Sequence, residues 1–273
     1  EMAEPVLRLA GSRINPKTNG AFSTTSMTSI TLKRLAGGAE VKVTTPAGAK
    51  IGNVSFSDDG KHLAFTVTTA TGIELWVADA ATGQARAVTT PTLNGTGGAP
   101  CSWLDDSSAL LCEFVPAGRG PAPTPPPVPA GPRVQETAGR AAPAPTFQDL
   151  LTGPHDEKLF EHYFTSQLVL VTPSGTQTPV GRPAIFATAS VAPDGKHVLV
   201  ARIKRPFSRL VTANGFPRDI EIWNLEGEVV KKIGEQPLGE GIPLGGVTTA
   251  PRAYRWVHTE GATLLWAQAL DES

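Results

Sequence analysis

The sequence predicts an all-β fold, a β-propeller of four-stranded antiparallel blades that is incomplete, with about four blade units. Three observations predict it. A hairpin motif recurs: residues 54–65 read VSFSDDGKHLAF and residues 189–200 read ASVAPDGKHVLV, each an apolar strand end, a tight Asp-Gly turn and a second apolar strand. A second kind of hairpin follows each copy, as in GIELWVADAATGQARAVT (72–89) and DIEIWNLEGEVVKKI (219–233), which share an Ile-Glu-aliphatic-Trp strand and a turn at Gly83 or Gly227. Finally, 28 glycines and 25 prolines make up about a fifth of the 273 residues, against about 12% in an average protein, which is turn chemistry rather than bundle chemistry.

The elements follow in order. Residues 1–29 read as an N-terminal extension, and 30–273 as a partial propeller with an insertion at 116–164. ITLKRLAGGAEVKVTT (30–45) has the form of an outer hairpin without an inner partner. Two hairpins in succession make a four-stranded meander, one blade, and complete blades are expected at about 51–90, 99–180 and 185–234. In the second of these the inner hairpin is the degenerate CSWLDDSSALLCEF (101–114), and QLVLVTPSGTQTPV (167–180) is the outer one. Another blade starts at 250–270, carried by Trp256, Gly261, Leu264, Leu265 and Trp266. Within the insertion, 116–145 is rich in Pro, Ala and Gly without an apolar period, so it should run as extended loop outside any sheet. TFQDLLTG and PHDEKLFEHYF (146–164) read as two short amphipathic helical turns, the second opening on Pro154 and acidic residues.

Composition and motifs exclude several functions. With 24 basic and 25 acidic residues and a net charge of -1, nothing points to nucleic acid. No apolar run is long enough to span a bilayer, and the first residues lack the form of a secretory signal. A serine hydrolase of the α/β type needs a Gly-x-Ser-x-Gly elbow, and no such spacing occurs, so no catalytic residue is assigned. His62 and His197 follow Asp-Gly-Lys in blade turns and read as solvated; His155 and His162 are seven apart rather than at the i, i+4 spacing of a metal pair, so no metal and no cofactor are expected. The tryptophans 76, 103, 223, 256 and 266 read chiefly as blade packing, and Pro123–Pro129 as spacer. Cys101 and Cys112 lie symmetrically about the Asp106-Ser107 turn and should face each other, as a disulfide or as two buried thiols.

RINPKTNG (13–20), PCSWLDDSSALLCEFVPAGRG (100–120), GPRVQETAGRAAPAPTFQDLL (131–151) and DEKLFEHYFTSQLVLV (156–171) closely resemble bacterial and chloroplast glutamyl endopeptidases of the prolyl oligopeptidase family. The likeness runs in order along nearly the whole chain and includes the insertion. It implies a serine peptidase whose propeller covers a C-terminal α/β-hydrolase domain, restricts entry to peptides and unfolded segments, and carries none of the catalytic triad. The residues given hold no such hydrolase domain, and the expectation is a propeller portion that gates and docks on one. A free-standing propeller-like scaffold that binds a protein is the alternative. The resemblance also implies a cation for an acidic substrate side chain, and Arg119, Arg133 and Arg140 on the interrupting loop are the candidates. Bacterial relatives of this kind are often exported and plant ones are plastidial, so the compartment stays open, with a periplasmic or secreted one favoured over plastid or cytoplasm.

Overall fold

The computed structural model describes residues 4–22, 25–127, 147–242, 246 and 248–269. The chain opens with a three-stranded sheet, β1 (Leu7–Leu9), β2 (Ser12–Asn15) and β3 (Gly20–Ala21), followed by a hairpin of β4 (Thr31–Leu32) and β5 (Val41–Lys42). The first complete blade is the meander β6 (Lys50–Phe56), β7 (His62–Thr68), β8 (Ile73–Asp79) and β9 (Ala85–Ala87). Next come β10 (Cys101–Trp103), β11 (Leu110–Phe114), the helix α1 (Pro154–Phe164), β12 (Thr165–Val171), β13 (Gln177–Val191), β14 (His197–Ile203), β15 (Arg218–Asn224) and β16 (Val229–Gln236). A last hairpin joins β17 (Arg252–Trp256) to β18 (Leu264–Ala267). Every named strand pair is antiparallel, and no sheet among the described residues closes on itself, as befits an incomplete propeller.

The second and third blades are one seven-stranded sheet, β10 to β16, because β13 serves both. Its first residues, Gln177 to Val180, pair with β12, and its last, Thr188 to Val191, pair with β14. The strand passes from β12 to β14 at Ile185, which pairs with both Thr165 and Ile203, four residues after Gly181, whose φ of 61° suits glycine. Trp223 of β15 lies directly over Gly181, since a Cβ there would sit 2.6 Å from its ring. The turn glycine Gly227 backs onto the same place, with room for no side chain: its Cβ would come within 1.8 Å of the Gly181 Cα.

Each seam between successive blades is a separate apolar core. Leu75 and Val77 meet Leu110, Cys112, Val169 and Val171 between the first two blades. Leu111, Leu168 and Val180 meet Phe186, Val198, Val200 and Trp223 in the next seam. Ile220 and Ile222 meet Trp256 of the last hairpin in the third, and Val43 of the outer hairpin β4–β5 packs on Leu63 and Phe65 of the first blade. A middle strand is thus covered on both faces, which is why β7 and β14 are buried along nearly their whole length and read as unbroken apolar runs. Trp223 and Trp256 are buried, Trp76 and Trp103 are half-buried, and Trp266 is 50% exposed on β18, which has no strand on its far side among the described residues.

Alternation of strand direction sorts the connections by end. Apart from the Thr69–Gly72 turn, tight turns gather at one end, where the Ser107 hydroxyl accepts from Asp59 N–H and Gly261 C=O accepts from Asp194 N–H. Long connections gather at the other: residues 90–100, the insertion and 204–217. Helix is confined mainly to the insertion, as α1, with two single 3-10 turns at Ala213–Gly215 and Gly239–Gly241. The first of the two expected helical turns does not form: the described residues from Phe147 to Gly153 are bends and loop. Its residues are committed elsewhere, for Asp149 takes a left-handed φ of 58°, its carbonyl accepts from Gly11 N–H and its carboxylate pairs with Arg13 and Arg8. Residues 116–127 of the Pro-rich stretch lie outside any strand, and the rest of that expectation falls outside the described residues.

Gly227→Ala is expected to destabilise the chain by about 2 kcal/mol or more, since a left-handed residue gains a Cβ against a fixed backbone. Urea unfolding followed by tryptophan fluorescence reads it directly; a midpoint within error of the parent would show that the Gly181–Gly227 contact is not a constraint.

Candidate functional site

On the end that carries the long connections, the N-terminal sheet, α1 and residues 203–217 form a further core of their own: Leu9, Ile14, Leu151, Leu159, Phe160, Phe164 and Phe216, with Phe207 and Val211 at its margin. Phe160 is fully buried, with its ring centroid 4.5 Å from Phe164, 5.2 Å from Phe207 and 5.5 Å from Phe216. Charge pins the helix from the outer side: Glu157 pairs with Arg205 and Arg209, and Glu161 accepts from Arg205 on both oxygens.

Helix ends leave backbone carbonyls without intrahelical donors, and here three side chains supply them. Asn94 Nδ2 donates to the carbonyls of Tyr163 (3.0 Å) and Thr165 (3.1 Å), while Asn19 Nδ2 and Thr96 Oγ1 reach Tyr163 O at 3.3 Å. Asn94 Oδ1 in turn accepts from Asn19 Nδ2 (2.7 Å), Thr96 Oγ1 (2.7 Å) and Thr96 N–H (3.2 Å). Asn19 holds a left-handed φ of 52°, a conformation that asparagine tolerates better than most residues.

Arg119 completes the cluster. Its guanidinium donates to Asn19 Oδ1 and lies over the Tyr163 ring, 5.5 Å from the centroid. It is half-buried, and that burial lowers its pKa from the usual value. No described carboxylate lies within 4 Å of it. Beside it opens a cavity of about 700 Å³ lined by Arg119, Lys158, Glu161, His162, Gln167 and prolines 116, 179 and 183. Of the three arginines picked from the sequence, Arg119 is therefore at a cavity, and Arg133 and Arg140 lie outside the described residues.

Cys101 and Cys112 are register partners on β10 and β11, with Cα atoms 4.1 Å apart and their sulfurs bonded to each other. Glu113, next along β11, is unforeseen from sequence. It shares the second seam with Ser166, whose Oγ is buried and makes no hydrogen bond of regular geometry among the described residues. Desolvation pushes Glu113 up to about 7, and Ser166 offsets this only slightly. In the apolar run LLCEF the carboxylate stands alone, and the sequence does not say what faces it across the seam. Two histidines contact carboxylates: His197 Nδ1 lies 2.7 Å from Asp194 Oδ2, and His258 Nδ1 lies 3.2 Å from Asp105 Oδ2. No serine hydroxyl bonds a histidine ring among the described residues, and they include no group of three or more metal-ligating side chains. No described helix is long and apolar enough to cross a membrane.

Successive antiparallel meanders with a core in every seam define an incomplete β-propeller whose long connections build a cation-lined cavity at one end. No protein-family model matches the chain. It is 34% identical over 288 residues to a probable chloroplastic glutamyl endopeptidase of Oryza sativa subsp. japonica, and 34% over 290 residues to one of Arabidopsis thaliana, each match covering 99% of this chain. The chain spans 30% of the length of these relatives. Along nearly its whole length it is thus similar to one part of the glutamyl endopeptidases. Among solved structures it is similar to the acylaminoacyl peptidase of Pyrococcus horikoshii, with TM-score 0.44, 18% identity, 76% of this chain and 28% of that one covered. It is also similar to the β-propeller domain of the Trilobed protease from Pyrococcus furiosus, with TM-score 0.39, 10% identity, and 69% and 43% covered.

Two outcomes are expected from these contacts. Asn94→Ala should cost about 2 kcal/mol or more, because it strands buried carbonyls and the Asn19 amide, and should speed hydrogen exchange in α1 ahead of the blades; unchanged α1 protection would contradict the capping role. Glu113 carries the opposite charge logic to a salt-bridged acid. Below its ordinary range it is protonated in both states, and as pH rises from there to about 7 only the unfolded chain gives up its proton, so stability falls. The residue keeps some exposure, so the loss stays below the full value of about 3 kcal/mol. Glu113→Gln should flatten stability between about pH 5 and pH 8; a slope equal to the parent's would assign the titration to another group.

Proposed function

We propose that this chain is the non-catalytic propeller portion of a serine endopeptidase of the glutamyl endopeptidase type, which gates peptide entry to a C-terminal hydrolase domain and docks on it. The observation that carries the reading is the 34% identity to two glutamyl endopeptidases along 99% of the chain, insertion included. The asymmetry of the disc supports it: tight turns at one end and a built surface of helix, N-terminal sheet and loops at the other suit a docking face. In this reading Arg119 offers an acidic substrate side chain a cation that no described carboxylate already neutralises, with Arg133 and Arg140 as further candidates on the same insertion.

Acyl-enzyme hydrolysis needs a nucleophile in reach of a base and donors for the oxyanion. Losing such a set costs on the order of a millionfold in turnover. The purified chain should therefore remain unlabelled by a fluorophosphonate and leave a glutamyl fluorogenic peptide intact, whereas the reading frame past Ser273 should run on into a Gly-x-Ser-x-Gly elbow with later Asp and His. Stoichiometric labelling of one serine would reveal an active site among the blades, and a stop codon directly after Ser273 would favour a free-standing scaffold that binds a protein.

A further inference from the structure

The Arg119 cavity holds a titratable group that the proposed function leaves unused. His162 and Tyr163 are consecutive in the last turn of α1, and the His162 ring stands edge-on to Tyr163, centroids 4.8 Å apart at 81°. Arg119 lies over that same tyrosine ring at 5.5 Å, and both Arg119 and His162 line the cavity. The other charges facing His162 are Lys158 and Glu161 from its own helix. Glu161 has both oxygens engaged by Arg205, and Lys158 has no described carboxylate within 4 Å. The β12 and β13 side of the cavity is Thr165, Gln167, Pro179 and Pro183, none of which titrates. The charge balance around the imidazole is therefore positive. Half-burial and the Arg119 charge both lower the His162 pKa, so in the empty cavity the ring is neutral at neutral pH.

We propose that His162 makes occupancy of this cavity by a carboxylate side chain proton-linked: a bound anion draws a proton onto the imidazole, and the protonated imidazole tightens the hold on the anion. The inference rests on the reading of Arg119 as a contact for an acidic side chain. Its physical content is that a carboxylate placed against Arg119 cancels the field that kept His162 neutral and gives the ring a partner of opposite charge. Linkage is reciprocal, so whatever the anion does to the imidazole's affinity for a proton, the proton does to the cavity's affinity for the anion. Binding should strengthen as pH falls through the histidine range, whereas Arg119 and Lys158 alone, charged throughout, would hold the anion equally at every pH in that range.

The test is a titration of the full chain with acetyl-glutamyl amide, whose carboxyl titrates near about 4.3 and so stays ionised from about pH 5.5 upward. Imidazole proton resonances report the five histidines, with His162 identified by the signal lost in His162→Gln. The expected result is affinity about fivefold or more higher at about pH 5.5 than at about pH 8, an upward move of the His162 titration on binding, loss of the pH dependence in His162→Gln, and no response to acetyl-glutaminyl amide. Binding that weakens in Arg119→Gln but is equal at both pH values, with an unmoved His162 titration, overturns the inference and leaves the Arg119 contact standing. No binding at either pH, or binding indifferent to Arg119→Gln, overturns the contact itself and the linkage with it. The comparison of pH values uses the parent chain, so a failure of Arg119→Gln to fold leaves the linkage measurable.

Discussion

The carboxamide of Asn94 is the point on which the functional end of this molecule hangs. It lies in the connection between the first and second blades, its own N–H bonded to Glu113 O of β11, so its position is set by the propeller. Its side chain then reaches outward to the last carbonyls of α1 and to Asn19. One planar amide with two donors and an acceptor with two lone pairs can satisfy both kinds of group at once, whereas a hydroxyl has a single proton to give and a carboxylate has none. Through it the helix, the N-terminal sheet and the blades share a single origin, and Arg119 finds Asn19 and Tyr163 already in place.

The blades themselves impose a different constraint. A four-stranded meander buried on both faces has no solvent side on which to discard polar groups, so each polar residue in a seam needs a partner or a shifted ionisation. Glu221 shows the first solution: buried in the third blade, it accepts from Arg202 through both oxygens and from Trp223 Nε1. Glu113 shows the second, with no cation near it and a proton held to about neutral pH. Two glutamates on middle strands of successive blades thus have opposite electrostatic fates because of what their neighbours supply.

What was legible in the sequence was whatever is local. The Asp-Gly turns, the Ile-Glu-aliphatic-Trp strands and the paired positions of Cys101 and Cys112 are hairpin properties, decided within a dozen residues, and they carry the fold class. The sharing of β13 between blades was not legible, since nothing in PVGRPAIF separates a strand that ends from one that changes partner; the answer lies in Ile203 of β14, a distant residue that pairs with Ile185 from the other side. The N-terminal residues read as an extension because three strands of two to four residues have no periodicity to detect. TFQDLL has helical composition, yet contacts between Asp149 and the N-terminal sheet outweigh propensity over so short a stretch.

Arg119 was chosen for its charge, and the geometry gives that charge two tasks that need not conflict. A guanidinium has five N–H donors in a rigid fork. One edge is spent on Asn19 and one face on Tyr163, which fixes the plane of the group without neutralising it. Had the fold placed a glutamate there, as it placed Glu157 and Glu161 against Arg205, the cation would be balanced and the cavity closed to an acidic ligand. A lysine would keep the charge but lose the planar seat, because an ammonium has no face to lay on the ring and no fork to hold an orientation. The neighbouring helix turn adds His162 rather than a fixed charge, and a group that is neutral when the cavity is empty avoids the repulsion of a permanent third cation beside Arg119 and Lys158. In the proposed linkage the arrangement thus keeps a half-buried charge tolerable while holding its strongest attraction for an arriving anion.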